Sequence, residues 1–314
     1  MVLERISAIP FNLIAASPDH VMRRRTTLAQ LRTIYRAIVL TAAFLPAAMQ
    51  GTAIGSAGSD ASDLTIRHLS DGRPQHERAR QLDLIRALNR EQRERLGGDS
   101  ELDAVIESYE LAWRMQGSAP EVFDLTHETA ATQEAYGLDR PETRAFGRRC
   151  LLARRLCESG VRFVQVNYGD NSANPAWDQH SDLPKHAQHA AAVDRPIAAL
   201  LQDLAERGLL EETLVWWGGE FGRTPYAEKN GTGRDHNPNG FTVWLAGGGV
   251  REGITYGETD EFGMQAIRDK VHMHDLHATI LHQLGIDHER LTYRHAGRDF
   301  RLTDVHGRVV EGVI

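Results

Sequence analysis

The sequence predicts an α/β fold, a mainly parallel sheet flanked by helices. Three observations carry that expectation. From residue 161 onward, short apolar runs alternate with segments of helical period. Glycines stand where those helical segments stop, at Gly160, Gly208 and Gly285. Eleven of the fifteen histidines fall within residues 180–306, the sharpest of them beside carboxylates and glycines at predicted strand ends. The carboxyl edge of an α/β sheet is where such side chains are delivered to a ligand.

The elements follow in order. Residues 1–50 show no clean periodicity beyond the apolar run from Ala37 to Met49, which Met22-Arg23-Arg24-Arg25 precedes. That run has the length of a signal-peptide core and falls short of the roughly 18 residues that span a membrane. An ordinary apolar stretch is the favoured reading, so no membrane span is expected and location stays open between export to a periplasm and the cytoplasm. Residues 51–72, rich in Gly, Ser and Asp, read as loop. Residues 75–96 predict a charged helix. Asp99-Ser100 caps a further one, with Leu102, Val105, Ile106, Tyr109 and Trp113 at helical spacing. A helix over 142–159 leads to an alternating strand over 161–168. The next helix, about 184–207, carries Ile197, Leu200, Leu201 and Leu204 on one face. The apolar run from Thr213 to Trp217 suits a buried parallel strand. Phe241 to Ala246 predicts another, closed by Gly247-Gly248-Gly249, with Trp216, Trp217 and Trp244 as packing residues. A helix over 274–284 follows. Phe300 to Thr303 and Val309 to Val313 predict a hairpin around His306-Gly307.

Composition narrows the function. A chain of 314 residues with 41% hydrophobic and 25% charged residues has ample core for a globular protein. A net charge of −7 argues against a nucleic-acid-binding surface. Cys150 and Cys157 stand seven apart on one predicted helix, roughly 10 Å at the helical rise, too far for a disulfide. That usage fits a reducing compartment without excluding export. No phosphate-binding loop, dinucleotide fingerprint, serine elbow or H-E-x-x-H zinc motif occurs.

The candidate chemistry lies in metal-ligand residue types. Asp178 and His180, two apart, share a face in an extended segment; the plainer reading is a loop carboxylate bonded to a nearby imidazole. Glu220 follows a strand and two glycines, and Arg223 and Thr224 next to it suit an anion, since a guanidinium grips phosphate or sulfate with two bonds. The plainer reading pairs Arg223 with Glu220. His236, in a glycine- and asparagine-rich loop, is a candidate third ligand for the same site; the plainer reading is a solvated loop histidine. His272, His274 and His277 are spaced to line a pocket near a helix start, beside Asp275, whereas His186 and His189 read as surface. Imidazole with carboxylate favours zinc or manganese as the divalent ion, with calcium or magnesium as weaker alternatives.

Several longer segments together resemble bacterial proteins of the domain-of-unknown-function 1501 family. They are residues 218–225 (Gly-Gly-Glu-Phe-Gly-Arg-Thr-Pro), 233–241 (Gly-Arg-Asp-His-Asn-Pro-Asn-Gly-Phe), 245–249 and 274–281, with residues 100–116 and 149–155 upstream. The resemblance runs from about Phe44 to the C-terminus. It implies a sulfatase-like fold of the alkaline-phosphatase superfamily, with metal ions at the carboxyl edge of a sheet. On that resemblance Asp178 and His180 match an Asp/His ligand pair, Glu220 the strand-end acidic position and His236 a late histidine. Phe221 stands where many superfamily members have a histidine, implying at most one ion. Residues 1–43 lack the family's early aspartate and nucleophile region. The expectation is therefore a leader over 1–43 and a sulfatase-like domain over 44–314, incomplete at its N-terminus. The implied function is a sulfate or phosphate ester hydrolase, impaired or inactive as this chain. A non-catalytic metal- or anion-binding protein of the same fold is the alternative. A small ester or sulfated glycan is the implied ligand, and an exposed sheet edge would favour self-association.

Overall fold

The structure, a computed structural model, describes residues 10–13, 52–55, 64, 75–96, 119–169, 176–219, 221–228, 231–295 and 297–314, with isolated positions at 106, 110 and 113. The signal-like segment and most of the helix expected after Asp99-Ser100 lie outside the described residues. Two compact units divide the chain: residues 1–27 with 129–314, and residues 28–128.

In the smaller unit, α1 spans Gln75–Leu96, as the charged pattern predicts. Leu84, Ile85 and Leu88 are exposed on it. Arg86 reaches Glu110 through two hydrogen bonds. None of the helices among the described residues is long and apolar enough to cross a membrane.

The larger unit begins its main run with α2 (Ala130–Ala135), capped by the Thr129 hydroxyl on Thr132 N–H. Then come α3 (Pro141–Glu158), with proline in its first turn, and α4 (His186–Glu206). These two pack face to face through Phe146, Cys150, Leu151, Ala192, Leu200 and Leu204, all buried. Arg154, 1% exposed, is embedded in that seam. It donates to Glu158 at 2.7 Å and lies 2.9 Å from Asp203, which also takes bonds from Tyr136 and Arg207. A buried guanidinium is tolerable only with partners of this kind. Cys150 and Cys157 both lie on α3 as free thiols, Cys150 fully buried. Desolvation pushes both up, Cys157 to about 12.

The sheet differs from the expectation. Its order is β2 (Val164–Asn167), β1 (Pro10–Leu13), β3 (Val215–Trp217) and β6 (Trp244–Ala246), and every described ladder is antiparallel. Since β2 and β3 each run against β1, they share one direction, as a strand–helix–strand unit around α4 would have, with β1 lying between them. The apolar run at 213–217 left the pairing open, because strands covered on both faces look alike whichever way they pair. Trp216 is buried and Trp217 stacks on Trp244 at 6.3 Å. Gly247, Gly248 and Gly249, all at positive φ, turn the chain after β6. Side chains at Gly247 and Gly248 would strike the backbone at Leu210 and Leu214.

The helix expected over 274–284 is α5 (Met273–Gln283), followed by Gly285 at φ +70. The C-terminal hairpin is displaced from its expected place. It pairs β7 (Thr292–His295) with β8 (Arg298–Arg301), while residues 311–313 form a short 3-10 turn. The alternation Thr-Tyr-Arg-His against Arg-Asp-Phe-Arg is too polar to read as strands, whereas Gly297 at φ +83 makes the turn.

Candidate metal centre

Two short strands build the centre. After β3 the chain turns through Gly218-Gly219 into β4 (Gly222–Arg223), which pairs antiparallel with β5 (His236–Asn237). In that register Arg223 stands opposite His236, and opposed residues project to the same face. Gly222 permits the approach, since a side chain there would lie 2.7 Å from Phe241 Cβ and 2.8 Å from the Gly240 carbonyl. Buried Asn237 fixes the following turn by donating to the carbonyls of Gly240, Gly263 and Met264.

The third wall is the segment around Asp178. Gln179 points inward, 2% exposed, and donates to the Ala176 carbonyl, so its neighbours Asp178 and His180 point the other way. The loop between β4 and β5 clasps this segment. Arg234 N–H donates to the Gln179 carbonyl. Gly233 passes so close that a Cβ there would lie 1.9 Å from the carbonyl carbon and oxygen of His180.

These pieces bring three ligand-type atoms together. Asp178 Oδ1 lies 3.1 Å from His180 Nε2 and 3.1 Å from His236 Nε2, and the two imidazole nitrogens are 3.0 Å apart. Ligands about 2.05 Å from a tetrahedral zinc are separated by about 3.3 Å, so this near-equilateral triangle fits one face of such a site with small adjustment. Arg223 donates to the same Asp178 oxygen at 2.7 Å, and to the carbonyls of Trp177 and Arg234 at 3.1 Å each. Partial burial acts to raise the Asp178 carboxyl. The bonds from Arg223 and His236, with the charges of Arg223 and His180, outweigh it and hold the group below its ordinary value. Phe221 stacks on the His236 ring at 3.9 Å.

The DUF1501 family model, described as a protein of unknown function, matches residues 16–314. The chain belongs to the DUF1501 family. No curated protein and no solved structure matches it. The match starts ahead of Phe44 and takes in part of the segment expected to be a leader.

Within this DUF1501 chain, Asp178, His180, His236 and Arg223 come together. Arg223 spends its guanidinium on Asp178 and two carbonyls rather than presenting a fork to an anion. Thr224 is buried; its hydroxyl donates to the Tyr226 carbonyl and accepts from Asp235 N–H, making it a clasp of the loop. Glu220 lies outside the described residues. His272, His274 and His277 gather at the start of α5. His272 caps the helix by accepting from His274 N–H, His274 Nδ1 donates to the Thr303 carbonyl, and His277 packs edge-on to Trp216. His186 and His189 are half-buried rather than fully exposed. Both pack on the Trp177 ring, His186 donating to the Trp177 carbonyl and His189 bonding Tyr168.

Sequence reading missed Glu228, whose carboxylate sits 2.5 Å from His180 Nδ1. It also missed Asp235, whose carboxylate accepts from His236 N–H at 2.7 Å. Asp235 immediately precedes His236 and was legible as a neighbour. Glu228 is 48 residues from His180, and no local pattern joins them.

Proposed function

We propose that Asp178, His180 and His236 hold one divalent ion, zinc or manganese, and that this chain is a metal-dependent hydrolase-like protein acting on sulfate or phosphate esters. The observation that carries the reading is the triangle of three ligand atoms with 3.0–3.1 Å edges. The sulfatase-like relationship belongs to the proposal and rests on the resemblance of residues 218–225 and 233–241 in their order along the chain. A bound divalent ion would supply Lewis acidity toward an ester oxygen. The chain's own residues do the rest: Arg223 fixes the Asp178 carboxylate, Phe221 limits the tilt of His236, and the Gly233 loop holds His180 in place.

A second reading, binding without turnover, has a specific observation in its favour. Covalent hydrolysis needs a free hydroxyl or thiol beside the ion. Among the described residues, the Thr224 hydroxyl is committed within its loop and the Cys150 and Cys157 thiols lie on α3 with raised proton affinity, so none of these three is placed as such a nucleophile.

Elemental analysis of protein purified without chelator tests the first claim, with one zinc or manganese per chain expected at most. Turnover of aryl sulfate and aryl phosphate then separates the readings. Metal-dependent turnover that Asp178→Asn abolishes supports the hydrolase; stoichiometric metal without turnover supports binding alone. Protein that takes up no zinc or manganese refutes both.

A further inference from the structure

We propose that Glu228 is a positioning residue of the metal centre: its carboxylate accepts the Nδ1–H of His180 and so leaves Nε2, the atom facing Asp178 and His236, as the bare ligand. This rests on the metal reading above and deepens it.

The chemistry of the pair decides where the proton is. The Glu228 carboxylate can only accept, so at 2.5 Å the hydrogen sits on His180 Nδ1. A neutral imidazole protonated at Nδ1 carries its lone pair on Nε2. That nitrogen lies 3.1 Å from Asp178 Oδ1 and 3.0 Å from His236 Nε2, within the triangle. A carboxylate on the far nitrogen of a ligating histidine fixes the ring and raises its basicity, and such partners are worth roughly 10–100-fold in metal affinity.

The loop places Glu228 for this. Its N–H donates to the Gly233 carbonyl at 3.0 Å and its carbonyl accepts from Gly231 N–H at 3.3 Å. Gly233 in turn abuts the His180 backbone and Gly231 abuts Ser181, so the turn that carries Glu228 is braced on the residue it addresses.

The competing arrangement is a second ion held by His180, Glu228 and Asp235, whose ligand atoms lie within 4.8 Å of one another. Distance argues against it. Two ligands of one tetrahedral ion stand about 3.3 Å apart, whereas His180 Nδ1 and Glu228 Oε1 are only 2.5 Å apart, well inside the 3.0–3.1 Å edges of the triangle. Asp235 is also engaged with His236 N–H.

The test measures zinc affinity of the full chain by competition with a chromogenic chelator, for wild type, Glu228→Gln, Glu228→Ala and a control at exposed Glu252 (Glu252→Gln). Nitrogen-15 histidine spectra of the metal-free protein, with His180 assigned through its loss in His180→Gln, report the tautomer. Expected are a fall of about 10–100-fold in both Glu228 variants, wild-type affinity in Glu252→Gln, an unchanged thermal midpoint for metal-free Glu228→Gln, and His180 protonated at Nδ1. Wild-type affinity in Glu228→Gln overturns the inference, as does a His180 proton on Nε2. Two zinc ions per wild-type chain, one of them lost in Glu228→Gln, overturn it by making Glu228 a ligand. A wild-type chain that binds no zinc fails the underlying reading, and the tautomer spectrum then reports on the His180–Glu228 pair by itself.

Discussion

Asp178 Oδ1 takes three contacts at once, from Arg223 at 2.7 Å and from His180 and His236 at 3.1 Å each. Arg223 donates to that oxygen, whereas on the proposed metal reading the ring nitrogens of His180 and His236 would share a single cation with it. His236 is the most dispensable member for the fold: its side chain is 40% exposed and its ring rests on Phe221. His236→Ala therefore should leave the unfolding midpoint of metal-free protein within the usual surface range of about 0.5 kcal/mol. Its zinc affinity should fall by more than the roughly 100-fold that losing an outer partner costs. Unchanged occupancy in a competition titration would remove His236 from the ligand set. At this scale the sequence was informative where chemistry and spacing coincide: Asp178 and His180 alternate with a buried Gln179, so their common face was readable. The task of Arg223 was not, because its partner Asp178 is 45 residues away.

At the scale of elements, the centre depends on a two-residue ladder and the loop it closes. Neither β4 nor β5 has the length or alternation that marks a strand, so their pairing was invisible, although the glycines that permit it were not. Gly233 is the sharpest case. Its φ does not require glycine; the contact with the His180 carbonyl does. Gly233→Ala should force the loop off the His180 segment, at a cost of about 1–3 kcal/mol typical of overpacking. It should also weaken zinc binding, because Glu228 moves with the loop. Chemical denaturation and a zinc titration of the same variant check both parts. A loop that absorbs the methyl with stability and affinity intact would show that its clasp is not what holds His180. The helices were legible by contrast: α3, α4 and α5 have apolar residues at helical spacing and glycines after their ends.

Across the larger unit, strand directions were the least legible property. An apolar segment such as residues 213–217 records that both faces are covered and nothing about its neighbours. What the assembled unit does fix is a response to acid, through two groups on different elements. His277 on α5 is held below its ordinary value near 6.5 by burial, with His274 adding to the effect. The unfolded chain therefore binds this proton more readily than the folded one. Stability is fully present above that value and falls as pH drops through it toward the lower folded value. Asp178 is held below its ordinary value of 3.8, against the pull of burial, chiefly by Arg223 and His236. Here too the unfolded chain takes the proton first, so this contribution persists above 3.8 and is lost as pH falls through the folded value. The two losses have the same sign and separate windows. Thermal midpoints of metal-free protein should decline first between about pH 7 and 5 and again below about pH 4. His277→Gln should flatten the first decline while keeping the second, and Asp178→Asn should do the reverse. A His277→Gln protein that keeps the full slope between about pH 7 and 5 would show that burial of His277 against Trp216 is not what makes this chain sensitive to mild acid.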